Sequence, residues 1–252
     1  MTDTGSDKEK ALAQFAAWEA KAESFKRDNP GVSYTKVLME KTVGRLRQGL
    51  LHPTLGHNIH NGQEDWWKAG ASTFNHYSKR FQIDSGSKLV DYGCGSLRVG
   101  AHFIRYLDPG HYFGLEIARG LYDMGLEVLG PELLAEKQPH LGITDSPALE
   151  DAVAFGADFV ISNAVAFHVH PEEMGLYLGN LLRLTHKAGA MLIFDTKIAD
   201  EPLRYRDRAW AWPLQTYIDA LAPLQLVDQS KAATRVELGV EFENRVLAFR
   251  RD

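Results

Sequence analysis

The sequence predicts an α/β protein with a largely parallel sheet, and two observations support this class. Short apolar segments that end at a polar residue alternate with stretches in which apolar residues recur at helical spacing. One such segment, from Asp158 to Asn163, is apolar throughout its middle, as expected for a central strand that is buried on both faces. The 252 residues, 44% hydrophobic and 24% charged, suffice for one domain with a large core and an extension.

The predicted sheet is organised around residues 88–100, which read K-L-V-D-Y-G-C-G-S-L-R-V-G. Gly93 and Gly95 follow a short apolar strand and allow a tight turn close to a ligand. A helix is predicted next, so its first backbone N–H groups would face that ligand. A dinucleotide fingerprint requires glycine where this chain has Arg98, which disfavours a nicotinamide oxidoreductase.

Carboxylates mark the ends of the first two predicted strands. Asp91 precedes the glycine turn, and Glu116 ends the next apolar segment, 21 residues after Gly95. Nucleotide-binding sheets present an acid to ribose hydroxyls at about this spacing. Carboxylates at the ends of buried strands are costly without a partner, so the pattern predicts a cofactor site.

The segment from Leu89 to Gly95 resembles the first motif of the class I S-adenosylmethionine-dependent methyltransferases, with the motif's third glycine replaced by Leu97. The resemblance implies a Rossmann-like three-layer sandwich with seven strands in the order 3-2-1-4-5-7-6, the last one antiparallel. Two strands predicted at 224–228 and 245–249 fit this ending, because about 16 residues between them are too few for another helical crossover.

The same resemblance implies cofactor-binding roles. Gly93 and Gly95 would lie against the methionine part of S-adenosylmethionine, and Asp91 would support its ammonium group directly or through water. Glu116 would bind the two ribose hydroxyls.

Two further polar residues follow later strands. Asp145 falls where the family contacts the adenine amino group, with Thr144 as the alternative and a helix cap as the other role for Asp145. Asn163 ends the fourth strand beside the cofactor, or satisfies backbone groups there.

Methyl transfer from a sulfonium depends mainly on positioning, and a general base adds about 10²–10⁴-fold where the acceptor loses a proton. The candidates for that base are His168 and His170 beyond the fourth strand, and Asp195 after the fifth. His170 precedes Pro171, so it is also explained as the start of a helix. A histidine base near its ordinary pKa of about 6.5 would make activity fall on acidification through that range.

Residues 1–84 show three amphipathic helical patterns, and the resemblance implies that they form a cap over a core of residues 85–252. Trp66 is expected to be packed, whereas four aromatic side chains are candidates for a pocket wall: Trp67, Tyr205, Trp210 and Trp212. The basic segment 204–208 is interpreted either as a contact for an acidic substrate or as a solvated loop.

Other features exclude several classes. The spacing of His52, His57 and His60 does not suit a compact metal site. The net charge of −5 without blocks of like charge argues against nucleic acid and anionic membranes, and no apolar run could span a bilayer. A single cysteine and the absence of a signal pattern predict a cytoplasmic protein.

Three functions remain at this stage. The leading hypothesis is a methyltransferase that acts on an oxygen or nitrogen of a small molecule. The alternatives are a catalytically silent cofactor-binding or partner subunit and, less favoured, a nicotinamide oxidoreductase. The acceptor and the oligomeric state, including a homodimer, are left open.

Overall fold

The computed structural model describes residues 4–48, 63–206, 208–237 and 239–252. The helices in these ranges are α1 Thr4–Asp28, α2 Tyr34–Arg47, α3 Gln63–Arg80, α4 Gly100–Tyr106, α5 Arg119–Leu129, α6 Pro131–Lys137, α7 Ala148–Phe155, α8 Met174–Leu184 and α9 Leu214–Ala220. The strands are β1 Leu89–Tyr92, β2 Tyr112–Glu116, β3 His140–Ile143, β4 Phe159–Ser162, β5 Met191–Ile198, β6 Leu203–Arg206, β7 Ala209–Ala211, β8 Gln225–Glu237 and β9 Val240–Arg250.

Seven strands form one sheet in the order β3-β2-β1-β4-β5-β9-β8. Strands β1 to β5 pair in parallel, whereas β9 is antiparallel to both β5 and β8. The pair β6 and β7 forms a separate hairpin, so β8 and β9 are the sixth and seventh strands of the sheet. The prediction of a Rossmann-like sheet in the order 3-2-1-4-5-7-6 is confirmed.

The alternation of side chains along the strands divides the core into two layers. Leu89 packs on one face with residues of α3, α4 and α5, and Val90 packs on the opposite face with residues of α7, α8 and α9. Trp66 of α3 is buried in the first layer, as predicted. The two layers of helices on one central sheet make the three-layer sandwich.

The structure differs from the sequence-based expectation in four elements. Helix α6 was not predicted; it begins at Pro131, directly after the glycine that ends α5, and proline suits the first turn of a helix. The last two strands extend into a long hairpin. Residues 204–206 lie in strand β6 of the β6–β7 hairpin rather than in a loop. Strand β5 continues to Ile198, so Asp195 lies within the strand and not after it.

Two predictions from the sequence concern metal binding and membrane-spanning helices. His52, His57 and His60 lie outside the described residues, and the described ranges contain no cluster of three potential metal ligands. None of the helices in those ranges has the length and apolar character needed to cross a membrane.

Candidate functional site

A cavity of about 540 Å³ lies at the carboxyl ends of β1, β2 and β4 and beside the residues that follow β3. Its volume falls within the range of about 300–1,000 Å³ that is typical of small-molecule sites. Residues 26–39, from the end of α1 to the first half of α2, contribute the wall opposite the sheet. The cavity therefore lies where parallel sheets bind ligands, with part of the amino-terminal region over it.

The glycine turn after β1 forms one wall of this cavity. Gly93 and Gly95 both have positive φ, at 82° and 56°. A Cβ atom on Gly93 would lie 2.4 Å from Cγ2 of Val165, whereas a Cβ atom on Gly95 would meet no protein atom within 4 Å. The space in front of Gly95 thus leaves room for a ligand to approach the backbone closely.

Leu97 occupies the position of the missing third glycine, and it still adopts the left-handed conformation with φ of 60°. That conformation costs about 1–2 kcal/mol for a residue with a Cβ atom. The side chain of Leu97 is fully buried in the layer that contains Phe103 and Tyr122. Burial of a leucine side chain stabilises by about 1.5–3 kcal/mol and offsets the strain.

Glu116 ends β2 and lines the cavity, although only 4% of the residue is exposed. Its Oε2 accepts a hydrogen bond from the backbone N–H of Gly95 at 2.8 Å. Its Oε1 accepts from the N–H groups of Ile117 at 2.8 Å and Ala118 at 3.3 Å. Burial raises the pKa of Glu116, and the three N–H donors act against this shift. Because a carboxylate offers about four acceptor positions, three bonds leave capacity for a ligand hydroxyl.

Asp91 lies behind the turn and also lines the cavity. Its Oδ2 accepts a hydrogen bond of 2.8 Å from the hydroxyl of Tyr112. The pKa of Asp91 is raised to about 7, mainly by burial; the Tyr112 hydrogen bond acts against this shift, and the nearby Glu116 contributes to it. A cation bound at this carboxyl would favour its ionised form.

Thr144, Asp145 and Asn163 line the cavity beside the ends of β3 and β4. Asp145 forms an ion pair with Lys36 of α2, with Nζ 2.6 Å from Oδ2. The hydroxyl of Tyr77 lies 3.5 Å from Oδ1 of Asn163 and donates to it. All six residues that were predicted to bind a cofactor therefore line one cavity: Asp91, Gly93, Gly95, Glu116, Asp145 and Asn163.

His168 lies in a 3-10 turn, Ala166–His168, and lines the same cavity. Its Nδ1 lies 2.7 Å from the backbone oxygen of Arg208. Because a carbonyl only accepts, Nδ1 carries the proton and Nε2 keeps its lone pair. The pKa of His168 is lowered to about 4, mainly by burial; the hydrogen bond to the carbonyl acts against this shift, and the cations of Arg208, Lys197 and Arg206 contribute to it.

The other two candidate bases are not among the residues that line the described cavity. His170 is buried, with its ring centroid 5.1 Å from that of Tyr34 and 5.7 Å from that of Trp210. Its Nδ1 accepts from the N–H of Glu172, so it caps the turn that leads into α8. Asp195, within β5, accepts a hydrogen bond from the backbone N–H of Ala164. Both residues support the wall from behind.

The amino-terminal helices are attached to this wall through Glu173. Its carboxylate accepts hydrogen bonds from the N–H groups of Tyr34 at 2.6 Å and Thr35 at 3.1 Å, and from Oγ of Ser33 at 3.3 Å. Lys26 of α1 forms a salt bridge with Glu172 at 2.5 Å. A carboxylate at the start of α2 also interacts favourably with the positive end of the helix dipole.

Sequence reasoning missed Glu173, Lys26 and Lys36, because their partners are distant in the chain. The aromatic residues that were expected in a pocket wall do not line the cavity. Trp67 packs against Trp66 and beneath the guanidinium of Arg105, 3.8 Å from the ring centroid. The remaining three, Tyr205, Trp210 and Trp212, pack within the hairpin region and the core.

Comparisons with known proteins give a match at the level of fold. No protein-family model and no curated protein sequence matches the chain. Magnesium protoporphyrin IX methyltransferase (ChlM) from Synechocystis PCC 6803, solved with bound SAH, has a TM-score of 0.56 at 16% identity over 84% of this chain and 95% of that chain. The [4+2]-cyclase SpnF has a TM-score of 0.57 at 13% identity over 71% and 80%.

A third structure is the amino-terminal domain of EvdMO1 with SAH bound, with a TM-score of 0.52 at 17% identity over 73% of this chain and 81% of that chain. Identities this low show a shared fold. The chain therefore has the Rossmann-like fold found in class I methyltransferases.

Proposed function

We propose that this chain is an S-adenosylmethionine-dependent methyltransferase that transfers a methyl group to an oxygen or nitrogen of a small molecule by in-line displacement. The observation that carries the proposal is the pairing of Gly95 with Glu116 on one cavity wall. Open space in front of Gly95 suits a ligand that lies against the backbone, and the buried carboxylate keeps one acceptor position for a ligand hydroxyl. The fold shared with ChlM and EvdMO1, both solved with SAH, supports the same ligand.

The chain's own residues would hold the cofactor at four points. Glu116 would accept a hydrogen bond from a ribose hydroxyl, and Asp91 would pair with the ammonium group. Asp145 or Thr144 would contact the adenine, with Asn163 beside it. When bound, S-adenosylmethionine supplies an electrophilic methyl carbon, so that a bond to the acceptor atom forms as the carbon–sulfur bond breaks and the electron pair stays on sulfur.

His168 is the proposed general base. It lines the cavity, and its Nε2 keeps the lone pair because Nδ1 donates to the carbonyl of Arg208. Nε2 would accept the proton of a hydroxyl acceptor, because the fixed tautomer leaves this nitrogen unprotonated. His170 and Asp195 are assigned supporting roles, since one caps a turn and the other holds the N–H of Ala164.

The proposed division of the chain is a cap of residues 1–84 on a core of residues 85–252. Within the cap, the end of α1 and the start of α2 cover the cavity and contact Glu172 and Glu173. Helix α3 packs on the sheet through Trp66. Helices α1 and α2, rather than α3, would thus cover the cavity.

A catalytically silent cofactor-binding or partner subunit is the second candidate. The fold is shared with the [4+2]-cyclase SpnF, so it is compatible with proteins other than methyltransferases. A nicotinamide oxidoreductase is less favoured, because Arg98 occupies the third glycine position of the dinucleotide fingerprint. A cytoplasmic location and a homodimer stay predictions.

The test is methyl transfer by the purified full chain. The protein is incubated with methyl-labelled S-adenosylmethionine and a panel of small hydroxyl, carboxyl and amino compounds, and labelled product and S-adenosylhomocysteine are measured together. Transfer to a panel member that is lost in Glu116→Gln supports the proposal. Tight cofactor binding without transfer to any acceptor favours the silent subunit, and binding of NAD in place of S-adenosylmethionine favours the oxidoreductase.

A further inference from the structure

Charge is distributed unevenly around the cavity. Two lining carboxylates, Asp91 and Glu116, lie at the glycine turn where the proposed cofactor binds. The three others, Asp145, Glu172 and Glu173, are contacted by lysines or backbone N–H groups of the cap. The negative charge of the cavity is therefore concentrated at the cofactor end and beneath the cap.

The wall that carries His168 is positive. Arg98 and Arg208 line the cavity together with His168. Lys197 lies behind this wall, with Nζ 4.3 Å from the ring centroid of Phe167. Arg208, Lys197 and Arg206 all act on the imidazole as nearby positive charges and disfavour its protonation.

Two carboxylates offset part of this positive charge from behind the wall. Asp195 faces Lys197 and Arg98. Glu237 of β8 forms two contacts of 2.6 Å with the guanidinium of Arg206. Neither acid is among the described residues that line the cavity, whereas Arg98, His168 and Arg208 are.

We propose that the acceptor presents an acidic oxygen, a carboxylate or an acidic hydroxyl, to the wall formed by Arg98, His168 and Arg208, and that the chain disfavours cationic amines. This inference rests on the proposed function and selects oxygen between its two acceptor atoms. Guanidinium groups bind anionic oxygens through charge-assisted hydrogen bonds, whereas an ammonium group beside them is repelled.

The chemistry of the transfer balances for both kinds of oxygen. A carboxylate uses its own electron pair to form the new oxygen–carbon bond and has no proton to lose. An acidic hydroxyl passes its proton to Nε2 of His168 as the bond forms. The low pKa of His168 makes it a weak base, which suits an acidic hydroxyl and does not suit an aliphatic alcohol.

The test uses matched probes on the full chain saturated with S-adenosylhomocysteine, whose own binding is first measured by calorimetry. The probe pairs are benzoate with benzylamine, 3-phenylpropanoate with 3-phenylpropylamine, and hexanoate with hexylamine. Ligand-observed NMR gives their dissociation constants for the wild type, Arg208→Gln, Arg98→Gln and Arg206→Gln. Arg206→Gln is the matched control, because Arg206 belongs to the same hairpin as Arg208 and is not among the described residues that line the cavity.

We expect the carboxylates to bind at least about tenfold more tightly than amines of the same skeleton, as one charge-assisted contact of about 1.5–3 kcal/mol implies. Arg208→Gln or Arg98→Gln should remove this preference while Arg206→Gln keeps it. Equal or tighter binding of the amines, binding of neither class, or a preference that survives both cavity variants would overturn the inference. Failure to bind S-adenosylhomocysteine would instead refute the proposed function.

Discussion

Replacing Glu116 by glutamine tests the cofactor site with little change in volume. The carboxylate accepts hydrogen bonds on both oxygens, from Gly95 on one and from Ile117 and Ala118 on the other. A glutamine amide has one accepting oxygen, so its NH₂ group must face at least one of these donors. The substitution therefore removes a hydrogen bond in either orientation of the amide.

The magnitude follows from these contacts. A buried donor left without an acceptor costs about 1–3 kcal/mol, which should appear as a loss of folding stability. The proposed bond to a ribose hydroxyl loses its charge assistance, worth about 1.5–3 kcal/mol. We therefore expect S-adenosylmethionine to bind Glu116→Gln about 10- to 150-fold more weakly than the wild type.

Isothermal titration calorimetry measures the affinity, and thermal unfolding measures the stability of the same samples. Glu127→Gln is the control, because Glu127 is an exposed residue of α5 outside the cavity lining. Unchanged affinity in a folded Glu116→Gln variant would refute the ribose-binding role.

Three further predictions concern the cap, the pH dependence of binding and the base. Glu173→Ala removes the hydrogen-bond acceptor at the start of α2, which should cost about 1–3 kcal/mol of local stability. Limited proteolysis near residues 29–33 should therefore accelerate by about 5- to 150-fold. An unchanged rate would contradict the attachment of the cap through Glu173. The raised pKa of Asp91, about 7, means that its carboxyl is protonated below that pH. Cofactor affinity should thus increase as pH rises through 7 and become flat in Asp91→Asn, and an equal slope in both proteins would exclude the ammonium contact. With a hydroxyl acceptor, His168→Ala should lower turnover by about 10²–10⁴-fold with cofactor affinity intact. Because the pKa of His168 is about 4, the acid limb of the wild-type pH profile should lie near pH 4 rather than 6.5. Near-normal turnover in His168→Ala would mean that positioning alone suffices.

The part of the cavity formed by the glycine turn and Glu116 was predictable from local sequence. A glycine turn after a buried strand and an acid after the next strand determine their own placement, since the ends of neighbouring parallel strands share one edge of the sheet. The cavity lining includes Gly93, Gly95 and Glu116, as the motif implied. Leu97 shows how a departure from the motif is accommodated, because the backbone keeps its left-handed conformation and burial of the side chain stabilises it.

The part of the cavity around His168 and Glu173 was less predictable, because it depends on contacts between distant parts of the chain. Glu173 meets Ser33 across 140 positions, and no local pattern signals such a pair. Burial is the main cause of the low pKa of His168, and the cations of Arg206 and Arg208 from the β6–β7 hairpin contribute to it. The carbonyl of Arg208 fixes the imidazole. Strand β5 continues past Asp195 because β9 pairs with it as far as Ile198, and only the tertiary fold supplies that partner.

The most direct measurement of the central claim is calorimetric titration of the purified full chain with S-adenosylmethionine and, separately, with NAD. The cavity geometry predicts one S-adenosylmethionine bound per chain, with an affinity that falls in Glu116→Gln and persists in Glu127→Gln, and no heat of binding with NAD. Absence of S-adenosylmethionine binding by the folded wild-type protein, or equal affinity in both variants, would contradict the assignment of this cavity.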